Sequence, residues 1–208
     1  MQQGKGGSMS AQTETSSAPA PAVADPGPLG LSGFALTTLT LSVYNAQIIK
    51  PASLSAEVLP LTLFYGGIAQ LLAGMWEFKN KNTFGALAFS SYGSFWLSFY
   101  WYVKYIAGSL PAASAHEATG MFLLAWTIFT LYMMVASFKT SGAIVSVFVV
   151  LVVTFILLTI GAFGNSTGIT QVGGYFGILT ALLAWYASFA GVTNATWKRA
   201  VIPVWPLS

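Results

Sequence analysis

The sequence predicts an all-α polytopic membrane protein, and three observations carry that expectation. Of 208 residues, 55% are hydrophobic and 6% are charged, against about 25% charged residues in an average soluble domain. The apolar residues gather in six long segments, none with an ionisable side chain near its middle. Each approaches the roughly 20 residues needed to cross a hydrocarbon core about 30 Å thick. That core holds no water to satisfy a stray N–H or C=O, so a spanning chain is helical or a closed barrel. These segments are too long and too uniformly apolar for the alternating strands of roughly ten residues that build barrels.

The elements follow in order. Residues 1–24 are rich in Ser, Ala, Pro, Gln and Gly, a composition expected to be disordered. They hold no apolar run of the signal-peptide kind, which leaves insertion to the first span. The transmembrane domain is read over residues 25–203 and a short C-terminal tail over 204–208. Span one covers 29–49 and stops at Lys50-Pro51. Asp25 is its candidate N-cap, and Pro26 and Pro28 suit a first turn whose N–H groups have no helical partner anyway. Span two covers 58–75, with Glu77, Lys79 and Lys81 beyond it at the interface; span three covers 84–103, with Lys104 at its end. Pro111, His116 and Glu117 mark 108–118 as a loop. Spans four, five and six cover 119–138, 142–163 and 171–193, parted by Lys139 and by Gly164-Asn165-Ser166-Thr167-Gly168 and followed by Lys198 and Arg199.

Six spans return both termini to one side. That side carries Lys5, Lys79, Lys81, Lys139, Lys198 and Arg199, the other only Lys50 and Lys104. An excess of basic residues marks the cytoplasmic face, so both termini are expected in the cytoplasm. Of two glycosylation sequons, Asn194-Ala195-Thr196 then faces the cytoplasm and Asn165-Ser166-Thr167 the outside, close to the membrane.

Several functions are excluded or disfavoured. The chain has no cysteine, which removes disulfides and thiolate metal sites. Its one histidine, His116, has no convergent carboxylates in the sequence, so an enzyme is not expected, nor is a metal or cofactor. A net charge of +3 without a patch of interleaved basic and aromatic residues gives no nucleic-acid surface. Charged groups inside the bilayer would point to ion relays or counter-ions; the spans hold neutral polar groups instead. Thr37, Thr38, Thr40, Ser42 and Asn45 dot span one, Gln70 stands in span two, and Ser90, Ser91, Ser94 and Ser98 crowd span three. A membrane hydroxyl ordinarily bonds back to its own helix, whereas the amides of Gln70 and Asn45 need partners. Glycines such as Gly30, Gly33, Gly66, Gly67, Gly93, Gly173 and Gly177 mark close helix contacts.

Motif order then becomes specific. Asp25-Pro26-Gly27-Pro28-Leu29-Gly30-Leu31 opens span one and is followed by Gly33-Phe34-Ala35-Leu36-Thr37-Thr38. Next come Phe64-Tyr65-Gly66-Gly67-Ile68-Ala69-Gln70, Asn82-Thr83-Phe84-Gly85 and Ala88-Phe89-Ser90-Ser91-Tyr92-Gly93-Ser94-Phe95-Trp96. In this order they closely resemble the acetate uptake transporter family, also called the succinate–acetate permease or GPR/FUN/YaaH family, over about residues 25–203. The resemblance implies six-helix subunits in a homo-hexameric ring in the plasma membrane, each with its own path for acetate and similar small carboxylates. It also implies a hydrophobic constriction, which by motif falls on Phe34, Tyr92 and Leu151, and a position associated with substrate size, which falls on Ala184. The chain departs from the family pattern at Asp25, where Asn is usual, and in a lengthened segment 51–57.

The expectation is a multi-pass transporter or channel for acetate and related short-chain monocarboxylates, with succinate a further candidate. Phe34, Tyr92 and Leu151 would form a dry neck, and Thr37, Thr38, Gln70 and Ser91 would supply hydrogen bonds to the carboxylate. Anion channel and proton symport both stay open. The rivals are a carboxylate sensor or scaffold without flux, and ammonium export.

Overall fold

The computed structural model describes residues 23–50 and 57–207. The expectations for residues 1–22, for Lys5 and for 51–56 lie outside them. Among the described residues the chain is all-helical, with an isolated bridge between Ser141 and Pro206 but no strand. The helices are α1 (Gly27–Asn45), α2 (Val58–Lys79), α3 (Thr83–Trp101), α4 (Ala112–Ser137), α5 (Gly142–Phe163) and α6 (Thr167–Trp197). Four stretches, in α2, α4, α5 and α6, are long and apolar enough to cross a membrane, with mean hydropathy from 1.5 to 3.1. Helices α1 and α3 are 19 residues each, and their apolar character is diluted by Gly, Ser and Thr. Their small residues put them in close contact with their neighbours.

Helix ends follow local chemistry. Gly27 N donates to Asp25 Oδ1 at 2.8 Å, so Asp25 satisfies the first helical N–H from one position ahead of the cap, which Pro26 occupies. Asn82 Oδ1 accepts from Gly85 N at 3.1 Å, Ser141 Oγ from Ile144 N at 3.3 Å and Ser166 Oγ from Ile169 N at 3.4 Å, each taking up a donor that a helix start leaves free. The C-terminal stretch folds back over the start of α5: Gly142 N donates to Trp205 O at 2.7 Å and Ala143 N to Val204 O at 3.2 Å. Asn194 secures that return, its Oδ1 accepting from Val201 N and Ile202 N and its Nδ2 donating to Ile202 O. The amide of the second sequon is thereby committed to the fold.

Three expectations are corrected. The segment 108–118 is a loop only as far as Pro111, because α4 begins at Ala112; His116 therefore stands on a helix. The alanines there favour helix while Ser114, His116 and Glu117 hold the hydropathy down, so the span as read from apolarity begins too late. Helix α6 likewise runs to Thr167–Trp197, longer than its apolar part. Glu77, at the end of its span, is not the exposed charge expected there. It is 2% exposed, and the turn into α3 folds over it so that Asn82 Nδ2 donates to its Oε2 at 3.0 Å.

Helix-to-helix distances are set by glycine. A Cβ on Gly33 would lie 2.7 Å from Tyr65 O, one on Gly30 2.6 Å from the Phe89 ring, and one on Gly174 2.7 Å from the Asn45 carbonyl carbon. Helix α2 widens into a π-helical turn over Phe64–Ala69, where Gly66 lets the Thr37 side chain of α1 lie against the backbone. Without a hydrophobic drive between helices in lipid, such approaches supply the dispersion contacts that hold a bundle.

A leucine at Gly93 would bring Cβ within 2.7 Å of Leu71 N and 2.9 Å of its Cα, and overpacking of this kind costs about 1–3 kcal/mol. Gly93→Leu is expected to lower the thermal unfolding midpoint of the detergent-solubilised protein. Gly168→Ala, with nothing within 4 Å of the added Cβ, is expected to leave it unchanged.

Candidate functional site

Two cavities lie end to end inside the bundle. The first, about 250 Å³, is reached by Asp25 and Pro28 at the start of α1, Glu77 at the end of α2, Phe84 at the start of α3, Ile144 at the start of α5, and Ala187 and Gly191 late in α6. The second, about 490 Å³, is lined by Asn45 at the end of α1, Tyr102 just after α3, His116 and Thr119 early in α4, Gly161 late in α5 and Thr170 early in α6. These are called the basal and the apical cavity. Helices α1, α3 and α5 thus run from base to apex, and α2, α4 and α6 return. Ser188 Oγ donates to Pro28 O at 2.7 Å, which ties the first turn of α1 to α6 at the basal end.

Phe34 and Leu151 line both cavities, so the two spaces meet at these side chains. Both are buried, at 6% and 3% exposure. Tyr92 lines the basal cavity and packs its ring 5.7 Å from that of Phe34, centroid to centroid. Phe129 meets Tyr92 edge-on at 5.3 Å, and Phe148 stands 6.2 Å away. The phenol has one partner, Thr130 Oγ1 at 3.0 Å. Thr130 already donates to Trp126 O at 2.7 Å, and a hydroxyl carries a single proton. Tyr92 is therefore the donor, and its O–H is spent on α4. What it turns toward the junction is ring, whose edge is electropositive.

The remaining expected residues separate. Thr38 lines the apical cavity and Gln70 the basal one. Thr37, the neighbour of Thr38, is fully buried, donates to Gly33 O at 2.9 Å and lines neither cavity. Ser91 is half-buried and also lines neither. Ala184 is fully buried within the cluster that holds Phe34, Tyr92 and Leu151 and does not reach a cavity surface. Of the opening motif, Asp25, Gly27, Pro28 and Leu31 line the basal cavity; Pro26 O accepts from Gly30 N at 3.1 Å, and Leu29 faces outward.

Cavity residues to which the sequence reading assigned no individual role include Phe95, Trp96, Phe99 and Thr154 on the apical side and Asn82 and Phe148 on the basal side, although Phe95, Trp96 and Asn82 stand in the motif strings and Thr154 among the polar groups of span five. A signal for two of them was present, since Trp96 and Thr154 follow Tyr92 and Leu151 by four and three residues, one helical turn. No lysine or arginine lines either cavity among the described residues. No group of three His, Asp or Glu able to hold a metal occurs among them. The ionisable carboxyls are both basal, Asp25 and Glu77. Gln70 Oε1 is buried without a hydrogen-bond partner.

Thr130→Val would leave the buried Tyr92 hydroxyl unpaired, at a cost of about 1–3 kcal/mol. The expected result is a lower unfolding midpoint for Thr130→Val and a near-normal one for Thr130→Ser, which keeps the acceptor.

The sequence profile of the GPR1/FUN34/yaaH family matches residues 6–208. Two relatives from Saccharomyces cerevisiae are longer proteins, of which the matched region spans 65% and 69%. The second of these, "Ammonia transport outward protein 2", is 40% identical over 198 residues, 92% of this chain. "Succinate-acetate/proton symporter SatP" of Escherichia coli is 37% identical over 182 residues, 88% of this chain and 95% of that one. The solved structure of the bacterial acetate channel SatP superposes with a TM-score of 0.82 at 37% identity, covering 88% of this chain and 99% of the other.

Proposed function

The chain belongs to the GPR1/FUN34/yaaH family, and from that premise we propose that it carries acetate and related short-chain monocarboxylates across a membrane through a path inside each subunit. The observation that carries this reading is the meeting of two cavities at Phe34 and Leu151, uncharged side chains that line both. The similarity to proteins named for acetate and succinate–acetate transport supports the substrate class.

Physical chemistry says why such a neck suits this substrate. An inorganic ion entering it would shed its water and find no charge or carbonyl ring in return, a cost of several kcal/mol. Acetate brings a methyl group that apolar side chains accommodate, and its carboxylate meets ring edges at Tyr92 and Phe34. Polar groups on either side, Thr38 apically and Gln70 basally, would take the oxygens before and after the neck. Binding by neutral donors is weak enough to let the substrate leave, which conduction requires.

In this proposal six helices span the plasma membrane. Lys79, Lys81, Lys139, Lys198 and Arg199 lie at the basal end and are exposed, whereas Lys50 and Lys104 stand at the other. The excess of basic residues supports a cytoplasmic base, with both chain ends on that side. Assembly into a hexameric ring, as the family resemblance implies, would set subunits side by side and leave each path intact.

A second reading, export of ammonium, takes its support from the yeast relative's name. The neck offers it no carbonyl or carboxylate acceptor. In reconstituted liposomes labelled acetate is expected to enter down its own gradient, and excess ammonium chloride at constant pH is expected not to compete. Competition by ammonium together with absent acetate flux would favour the export reading, and absent flux of both would favour a sensor or scaffold.

Leu151→Ala opens the neck by the volume of three carbons. Uptake of lactate relative to acetate is expected to rise at least about fivefold, the scale on which pocket size discriminates. An unchanged ratio would remove Leu151 from the selective step.

A further inference from the structure

The two cavities differ in charge. Among the described residues, the ionisable side chains lining the apical cavity are His116 and the phenol of Tyr102. Those lining the basal cavity are Asp25, Glu77 and Tyr92. Tyr92 gives its proton to Thr130, which leaves two carboxyl groups at the basal mouth, close enough to each other to interact through charge. Helices α3, α5 and α6 carry no charged residue. The basic residues at the basal end, Lys79, Lys81, Lys139, Lys198 and Arg199, are exposed to the surroundings and none lines the cavity.

Each carboxyl is held in place by a neutral donor. Asp25, exposed ahead of α1, accepts from Gly27 N through Oδ1 at 2.8 Å. Glu77 is 2% exposed, and its Oε2 accepts from Asn82 Nδ2 at 3.0 Å. Its Oε1 has no hydrogen-bond partner among the described residues and, unlike Gln70 Oε1, is not sealed off by neighbouring atoms. Gly85 makes the room for it, since a Cβ there would lie 2.6 Å from this oxygen. When ionised, a carboxyl placed so has donors but no cation to cancel its field. The rings of Phe84, Phe89 and Phe148, which share the cavity wall, screen that field far less than water does.

We propose that Asp25 and Glu77 form a charge filter at the basal mouth, one that lets a monocarboxylate pass and turns a dicarboxylate back. The filter rests on the reading of the chain as a carboxylate path and adds which acids complete the passage. A dianion brings a second negative charge into a space of about 250 Å³ whose lining holds no lysine or arginine. Its repulsion from the pair is therefore roughly twice that of a monoanion of the same length. One ionised member of the pair is enough for the effect. The apical cavity is larger, about 490 Å³, and no carboxyl lines it among the described residues, so the discrimination belongs to the basal side. Succinate is thereby disfavoured against acetate by charge as well as by size.

The test uses the full chain in liposomes with labelled propionate and malonate, acids of equal carbon count that carry one and two carboxylates at neutral pH. Asp25→Asn removes one charge and keeps the oxygen that accepts from Gly27 N. Glu77→Gln removes the other and keeps an acceptor for Asn82. Each is expected to raise malonate uptake relative to propionate roughly tenfold, the scale of one unit-charge repulsion across about 10 Å at an effective dielectric near 20. Glu77→Asp, which keeps the charge, is expected to hold the wild-type ratio. The apolar neck also disfavours a dianion, and the variants separate the two causes. A malonate-to-propionate ratio unchanged in both Asp25→Asn and Glu77→Gln, beside a wild type that carries propionate, assigns the discrimination to the neck; it overturns the filter and leaves the path standing. A ratio raised as much by Glu77→Asp as by Glu77→Gln also overturns the filter, because no charge is then lost. A wild type that carries neither acetate nor propionate overturns both.

Discussion

The close approach of α1 to its neighbours is the constraint on which the path depends. Lipid does not press helices together as water does, so an intramembrane bundle holds by direct packing. Gly33 meets the backbone of α2 at Tyr65, and Gly174 of α6 meets the backbone of α1 at Asn45. Between those contacts α1 is held near the middle of the bundle, with Phe34 at the junction of two cavities and Thr38 a turn beyond. A side chain at either glycine would move the helix that carries both.

The second constraint is the accounting of polar groups. Most hydroxyls in the bundle are satisfied locally, as Thr40, Thr127 and Thr180 show by donating to carbonyls one turn back. Some also join two helices, as Ser32 does with Ser188 at 2.7 Å and Thr127 with Thr159 at 2.9 Å. Against that background five described residues contain a buried polar atom with no partner; Thr38, Gln70, Trp96 and His116 line a cavity, and Ser90 does not. Unpaired groups of this kind are costly where water is scarce.

Much of the architecture was legible in the sequence because hydropathy reports burial in lipid directly. The apolar segments find the helices, and the motif strings lead to Phe34 and Leu151, which line both cavities. What stayed illegible has physical causes. Thr37 and Thr38 are adjacent, and so are Ser91 and Tyr92, but neighbours on a helix point about 100° apart. In a helix apolar on most sides no pattern says which of them turns inward, and here Thr38 and Tyr92 line cavities whereas Thr37 and Ser91 do not. Glu77, next to Lys79 at a span end, reads in the sequence as an exposed charge; its burial comes from the turn at Asn82, a contact that hydropathy does not encode. The start of α4 was hidden because its first turns are helical without being apolar.

The central claim is that two cavities open to opposite ends of the bundle are separated by an uncharged neck at Phe34, Tyr92 and Leu151, and the chain's lack of cysteine allows a direct measurement. Single cysteines replacing Thr38 and Ile144, one in each cavity, would be exposed to a charged, membrane-impermeant thiol reagent on either side of oriented liposomes. The account predicts that Thr38→Cys is modified only from the apical side and Ile144→Cys only from the basal side. Modification of both positions from the same side, or of neither from any side, would contradict it.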